Sequence, residues 1–271
     1  MRALALLPVW VWLLLFVAAP VALVGVIALA TSRAGVPPYA VGLDLGSLAG
    51  LADAYYVQAL LGSLWMAAAT AALTLLIGYP MALGIARSTA RPLLLLLVML
   101  PFWSGMLLRL TAWIGILRDE GFLNAFLLLL GLAPLHLLHT DTAMLIGLVS
   151  CYLPFMILPV QARLHGADPT LELAAADLGA PPWHVFLRVT LPLSLPGVWA
   201  GLALVFIPVT GEYVIPELLG APQSLTIGRV VWDEFFHSGD WPQAAALCLA
   251  LLAMLAAPAL ALRGRARLDI T

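Results

Sequence analysis

Residues 142–162 read Thr142-Ala-Met-Leu-Ile-Gly-Leu-Val-Ser-Cys-Tyr-Leu-Pro-Phe-Met-Ile-Leu-Pro-Val-Gln-Ala162, without one Asp, Glu, Lys or Arg. A helix needs about 20 mostly apolar residues to cross the ~30 Å hydrocarbon layer, and this run supplies them. Working outward, comparable charge-poor stretches lie at 3–32, 54–86, 92–117 (interrupted only by Arg109), 121–135, 189–211 and 241–262. The segment 121–135 is too short to cross and breaks at Gly131 and Pro134, so it reads as a short interfacial or re-entrant helix. Six spans are therefore expected, at about 8–30, 56–86, 92–117, 142–162, 193–215 and 241–262. The predicted fold class is an all-α integral membrane protein, a single transmembrane domain over 1–271 with both termini on one side.

Composition agrees. Of 271 residues, 63% are hydrophobic and 10% charged, with a mean hydropathy of +1.07. An ordinary soluble domain is about 45–50% apolar and about 25% charged. A soluble enzyme, a nucleic-acid binder and a disordered chain are excluded by so little charge. Cys151 and Cys248 each sit inside a long apolar run, which suits reduced packing residues. The five histidines are scattered, without a metal-ligand spacing.

Arginine placement orients the spans. With six spans, the side holding the N-terminus carries Arg2, Arg87, Arg91, Arg163, Arg188, Arg263, Arg265 and Arg267; the opposite side carries Arg33, Arg118 and Arg229. Basic residues stay cytoplasmic, so both ends are expected in the cytoplasm of a multi-pass inner-membrane protein. The first apolar stretch far exceeds the roughly 7–15 residues of a signal peptide's apolar region, and so reads as a retained helix. The longest polar segments are 31–55, 163–188 and 212–240. Energy-consuming chemistry is thus expected on another chain, since no glycine-rich phosphate loop occurs here either.

Segment 163–192 is the cytoplasmic loop with most structure written into it. Asp168-Pro169 makes an N-cap and first helical position, and Gly179 a stop, giving a predicted helix over 169–178. Pro181-Pro182 starts a second short helix, predicted to end at Leu191-Pro192. The alanines 174–176 leave a low surface on which a partner can lie closely. Leu171, Leu178, Trp183 and Phe186 are apolar anchors, to be covered either by the protein's own helix ends or by a partner.

The run Ala174-Ala175-x-x-x-Gly179, followed by Val189-x-Leu191-Pro192, resembles the coupling loop of bacterial ABC importer permeases. Three further stretches resemble the spermidine/putrescine class, nearest the first of its two permease chains: 101–117, 211–220 and 227–236. The resemblance implies the type I importer permease fold. It implies a complex with a second permease subunit, two ABC ATPase subunits that hold ATP and magnesium, and an extracytoplasmic substrate-binding protein. No cofactor is expected on this chain, which is not itself an enzyme. Glu172, Ala174, Ala175, Asp177, Gly179 and Ala180 are the residues to which the resemblance assigns ATPase coupling. One departure stands out: the family's glutamate position is Leu173, and Glu172 lies one residue earlier, about 100° away around a helix axis.

Intramembrane charge is costly, so Arg109 and Glu212 call for explanation. Arg109 lies ~27 Å along its span and Glu212 ~24 Å, at 1.5 Å per residue. Either they snorkel or pair structurally, or Glu212 faces a pathway and meets a cationic group. Arg109, Trp113, Glu212 and Tyr213 are the candidate pathway residues. The outer side carries ten acids against three arginines, a field that favours cations. A small cationic or zwitterionic amine, putrescine, spermidine or γ-aminobutyrate, fits this reading. The alternatives are a permease of the same kind for an anion or ferric iron, and a stand-alone secondary transporter. The latter is opposed by the docking loop and the lack of an inverted repeat. Prolines 154, 159, 196, 208 and 216 suit either kinked pathway helices or static packing.

Overall fold

The computed structural model describes residues 7–268, with side chains through 256. Arg2 and the side chains of Arg263, Arg265 and Arg267 lie outside the described residues. The structure is mostly helical and forms two compact units, one of Met1–Gly62 with Leu225–Thr271 and the other of Ser63–Ser224.

Four described helices are long and apolar enough to span a bilayer: Leu7–Ala28, Ala54–Arg87, Asp141–His165 and Pro182–Thr210. A fifth span exists if a bent pair counts as one. That pair is Arg91–Trp103 with Met106–Leu129, bent by 88°, and the expected span 92–117 falls within it. The break falls at Gly105, whose φ of +72° a side chain would resist, and four residues after Pro101 has removed a backbone donor. The short segment after it forms the helix Phe122–Leu129 and ends before Gly131, as its length predicted. The C-terminal helix is Trp241–Leu268.

In the first unit, Leu7–Ala28 is almost wholly exposed and apolar all round, the signature of a lipid-facing helix. Its end packs through Val24, Ile27 and Ala28 against Ala245, Ala246 and Leu249. A two-stranded antiparallel ribbon, β1 (Thr31–Ser32) and β2 (Tyr39–Ala40), follows with Thr31 opposite Ala40. The amphipathic helix Ile227–Phe236 buries Ile227 and Val230 with Ala59 and Leu247.

The second unit is organised by helix 141–165, ten of whose 25 residues are buried, lying along the helix Leu191–Thr210. Small residues permit the close approach: a β-carbon at Gly201 would stand 2.7 Å from the Met156 sulfur. Met144, Leu148, Met156, Ile157, Val205, Ile215 and Leu219 form the centre of this core.

Two boundaries differ from expectation. The helix predicted to stop at Leu191-Pro192 does not stop; Pro182–Thr210 is one continuous helix. A five-residue π turn, Phe186–Thr190, widens it just before Pro192, so the proline ring meets no tight α-helical carbonyl. The same device, Leu14–Ala18, precedes Pro20 in the first helix. At its far end the fifth expected span, 193–215, closes early at Thr210, and a separate short helix, Val214–Leu219, follows.

Candidate functional sites

The elbow 163–192 is built as its residue types require. Asp168 Oδ1 accepts from the Thr170 backbone N–H (2.9 Å) and hydroxyl (2.8 Å), starting the helix Thr170–Asp177. These two donors hold the Asp168 carboxyl below its ordinary pKa. At the other end Ala180 N donates to Ala175 O (3.1 Å) and Gly179 N to Ala176 O (2.8 Å), with Gly179 at φ +82°. That is a Schellman stop, which a left-handed residue makes possible. The helix covers 170–177, one residue shorter at each end than predicted.

The anchors divide. Phe186 packs edge-on against Tyr79, with centroids 5.8 Å apart. Leu171, Leu178 and Trp183 face outward, at 47%, 89% and 60% exposure, and Leu173 joins them at 63%. Ala174, Asp177 and Gly179 are exposed and Ala175 and Ala180 half-buried. A groove of about 240 Å³ runs between the two arms of the elbow, lined by Ala175, Leu178, Ala180, His184, Val185, Arg188 and Val189. Trp183 stacks on His184 beside it, 3.7 Å between centroids.

Glu172 differs from its neighbours. It turns inward, where its carboxylate takes a salt bridge from Arg87 Nη2 (2.9 Å) and a hydrogen bond from the Thr190 hydroxyl (2.6 Å). Leu173, the next residue, points outward.

Of the intramembrane candidates, Arg109 alone lines a second cavity, of about 570 Å³, with Phe102, Met106, Cys151, Tyr152, Phe155, Ala203, Leu204, Ile207 and Pro208. Arg109 lies half-buried over the Phe102 ring, 5.9 Å from its centroid, with Nε and Nη1 buried and without hydrogen-bond partners. Glu212 Oε2 accepts from the Tyr152 hydroxyl (2.6 Å) and Oε1 from the Val214 N–H (3.1 Å). Glu212 is therefore tied to Tyr152, a wall of the cavity that Arg109 also lines. Trp113 Nε1 donates to Ser150 Oγ (2.9 Å), which fixes the indole against helix 141–165. Tyr213 is half-buried, and its carbonyl accepts from Glu217 N (3.0 Å).

Sequence reasoning did not single out Tyr152, Thr190 or Asn124. Asn124 is 2% exposed and bridges its own segment to Leu135, donating to Leu135 O (2.9 Å) and accepting from Leu135 N (2.8 Å). A lone amide in the run Phe122-Leu-Asn-Ala-Phe is the signal that could have found it.

Residues 74–267 match the family described as binding-protein-dependent transport system inner membrane component. The chain is 39% identical over 249 residues to the spermidine/putrescine transport system permease protein PotB of Haemophilus influenzae, covering 90% of this chain and 87% of that protein. It is 37% identical over 245 residues to PotB of Escherichia coli K12, covering 89% and 88%. A bacterial ABC transporter involved in the import of the acidic polysaccharide alginate shares the fold, with a TM-score of 0.72 at 20% identity over 98% of this chain and 94% of that one.

Proposed function

The chain belongs to the family of binding-protein-dependent transport system inner membrane components, and from that premise we propose that it carries polyamines, putrescine or spermidine, or a related small amine. It is an ABC importer permease subunit and not itself an enzyme. Six spans with both ends in the cytoplasm complete the reading, the bent pair 91–117 and helix 241–268 supplying the third and sixth. The elbow 163–192 then lies on the cytoplasmic face.

The observation that carries the proposal is the elbow itself, together with the near-full-length similarity to spermidine/putrescine permeases. A rigidly capped helix presents Leu173, Leu178 and Trp183 to the outside around a shallow groove. Such a patch at the end of a membrane helix is suited to a protein partner. The partner is an ATPase subunit, met through Ala174, Ala175, Asp177, Gly179 and Ala180. The elbow's second arm is the beginning of helix 182–210, so the docking surface is continuous with that span. A second, non-identical permease chain, a second ATPase and an extracytoplasmic binding protein complete the assembly. ATP and magnesium reside on the ATPase. In the membrane, Arg109, Trp113, Glu212 and Tyr213 border the pathway, with Glu212 meeting the ammonium group of the amine.

Proteoliposomes containing the full complex and its binding protein test the reading through ATP hydrolysis and uptake of labelled putrescine, with spermidine and γ-aminobutyrate as competitors. Loaded binding protein should stimulate both. Ion-driven uptake by this chain alone, indifferent to ATP, would overturn it.

A further inference from the structure

Three segments meet at Glu172, one of them distant in sequence and two from the elbow 163–192. Arg87 is the last residue of the long helix 54–87, Glu172 stands in the first turn of the elbow helix, and Thr190 closes the π turn of helix 182–210. Arg87 Nη2 reaches both carboxylate oxygens, at 2.9 and 3.1 Å, and the Thr190 hydroxyl donates to Oε1 at 2.6 Å. Thr190 is 2% exposed, whereas the Arg87 and Glu172 side chains are 56% and 34% exposed. A cavity of about 370 Å³ borders the junction, its wall including Leu83, Arg87, His165, Glu172 and Thr190.

An exposed ion pair adds little to stability. This one gains its value from direction: Arg87 Nη2 sits between both carboxylate oxygens, and the buried Thr190 hydroxyl, bonded to the same charged acceptor, resists sliding. We propose that Glu172 is a positioning residue, clamping the elbow helix to the ends of helices 54–87 and 182–210 through Arg87 and Thr190, so that displacement of the elbow moves both helices together. The proposal rests on the reading of 163–192 as the ATPase-docking elbow. Glu172 acts from the inner face of that elbow and does not touch the ATPase. Without the clamp, the elbow helix can swing on its Gly179 hinge while the spans stay behind, and hydrolysis runs without import.

The test uses the whole complex in proteoliposomes and reads ATP hydrolysed per solute imported. Glu172→Ala, Arg87→Ala and Thr190→Val should each raise that ratio, most for Glu172→Ala, which loses both partners, and by about tenfold where one charged hydrogen bond is lost. The pair Glu172→Ala with Arg87→Ala should be no worse than Glu172→Ala alone, since both remove one contact. Thr190→Ser keeps the hydroxyl and should restore the native ratio. The ATPase should co-purify with every one of these variants. An unchanged ratio in Glu172→Ala, a Thr190→Ser as defective as Thr190→Val, or loss of the ATPase from Glu172→Ala would each overturn the clamp. Leu178→Asp checks the docking reading separately: retention of the ATPase by that variant would remove the reading on which the clamp rests.

Discussion

Tyr152 donates its hydroxyl hydrogen to Glu212 at 2.6 Å, joining the middle of helix 141–165 to the residue just beyond helix 182–210. The second carboxylate oxygen is held by the Val214 N–H, so the group is fixed from two sides. Tyr152 lines a cavity that is apolar apart from Arg109, so the carboxylate lies behind one wall of it. A fixed charge in such surroundings acts strongly on an opposite charge, because little water screens it.

Neutralising that charge should separate binding from assembly. Glu212→Gln keeps an acceptor for Tyr152 and should leave expression and complex formation intact while sharply lowering putrescine uptake. Tyr152→Phe should weaken uptake less, and should cost about 1.5–3 kcal/mol of stability through loss of a hydrogen bond to a charged group. Uptake kinetics and thermal unfolding of the purified complex check the pair. Wild-type uptake by Glu212→Gln would remove the residue from the pathway.

The elbow turns on one backbone angle. Gly179 holds φ +82° and donates its N–H to Ala176 O. Proline offers neither the angle nor the donor. Gly179→Pro should therefore abolish stimulation of hydrolysis by the loaded binding protein, read as ATPase rate with and without it. Undiminished stimulation would show that the two arms of the elbow need not keep their angle.

The contact between helices 141–165 and 191–210 tolerates no added bulk. A leucine at Gly201 would drive into Met156, and overpacking of this kind costs about 1–3 kcal/mol. Thermal unfolding in detergent should show Gly201→Leu clearly destabilised, while a leucine at exposed Gly84, where a β-carbon would meet nothing within 4 Å, should be tolerated.

Asp168 has a pH signature that is mainly a lack of response. A carboxyl whose pKa is lowered on folding binds its proton less tightly in the folded elbow. Its contribution is therefore complete above the free aspartate value of about 3.9, and fades only as pH falls through the lower folded value. Amide exchange of 168–178, corrected for intrinsic rate, should be flat from about pH 8 to about pH 5. Asp168→Ala should raise exchange throughout that range. Wild-type protection that falls near neutral pH would assign the cap to a different group.

What the residues disclosed in advance was whatever depends on neighbours along the chain. Charge-free length marked helices 7–28, 54–87 and 141–165, and Asp168 and Gly179 marked a helix between them because caps act locally. The break at 104–105 is not legible there, because an apolar run with one arginine in it says nothing of a single glycine's backbone angle. Pro192 was overread for a related reason: proline opposes an α turn, and the π turn before it relieves that conflict. Glu172 stands out in the sequence by its one-residue offset from the position that the resemblance assigns to glutamate. Its partners, Arg87 and Thr190, were out of reach, since only the fold brings three such segments together.

The π turn at 186–190 carries a geometric consequence of its own. One residue added to a helical turn advances the phase of everything beyond it by about 100°. The row Ser194, Gly197, Gly201 and Val205, which faces the protein interior, is therefore rotated against the row on which Trp183 and Leu187 point outward. Deleting a single residue there would bring the whole helix back into step, leaving every downstream contact in place and aiming the tryptophan at a different bearing. The bearing of Trp183 thus depends on a count of residues as well as on the contacts that hold the elbow to the spans.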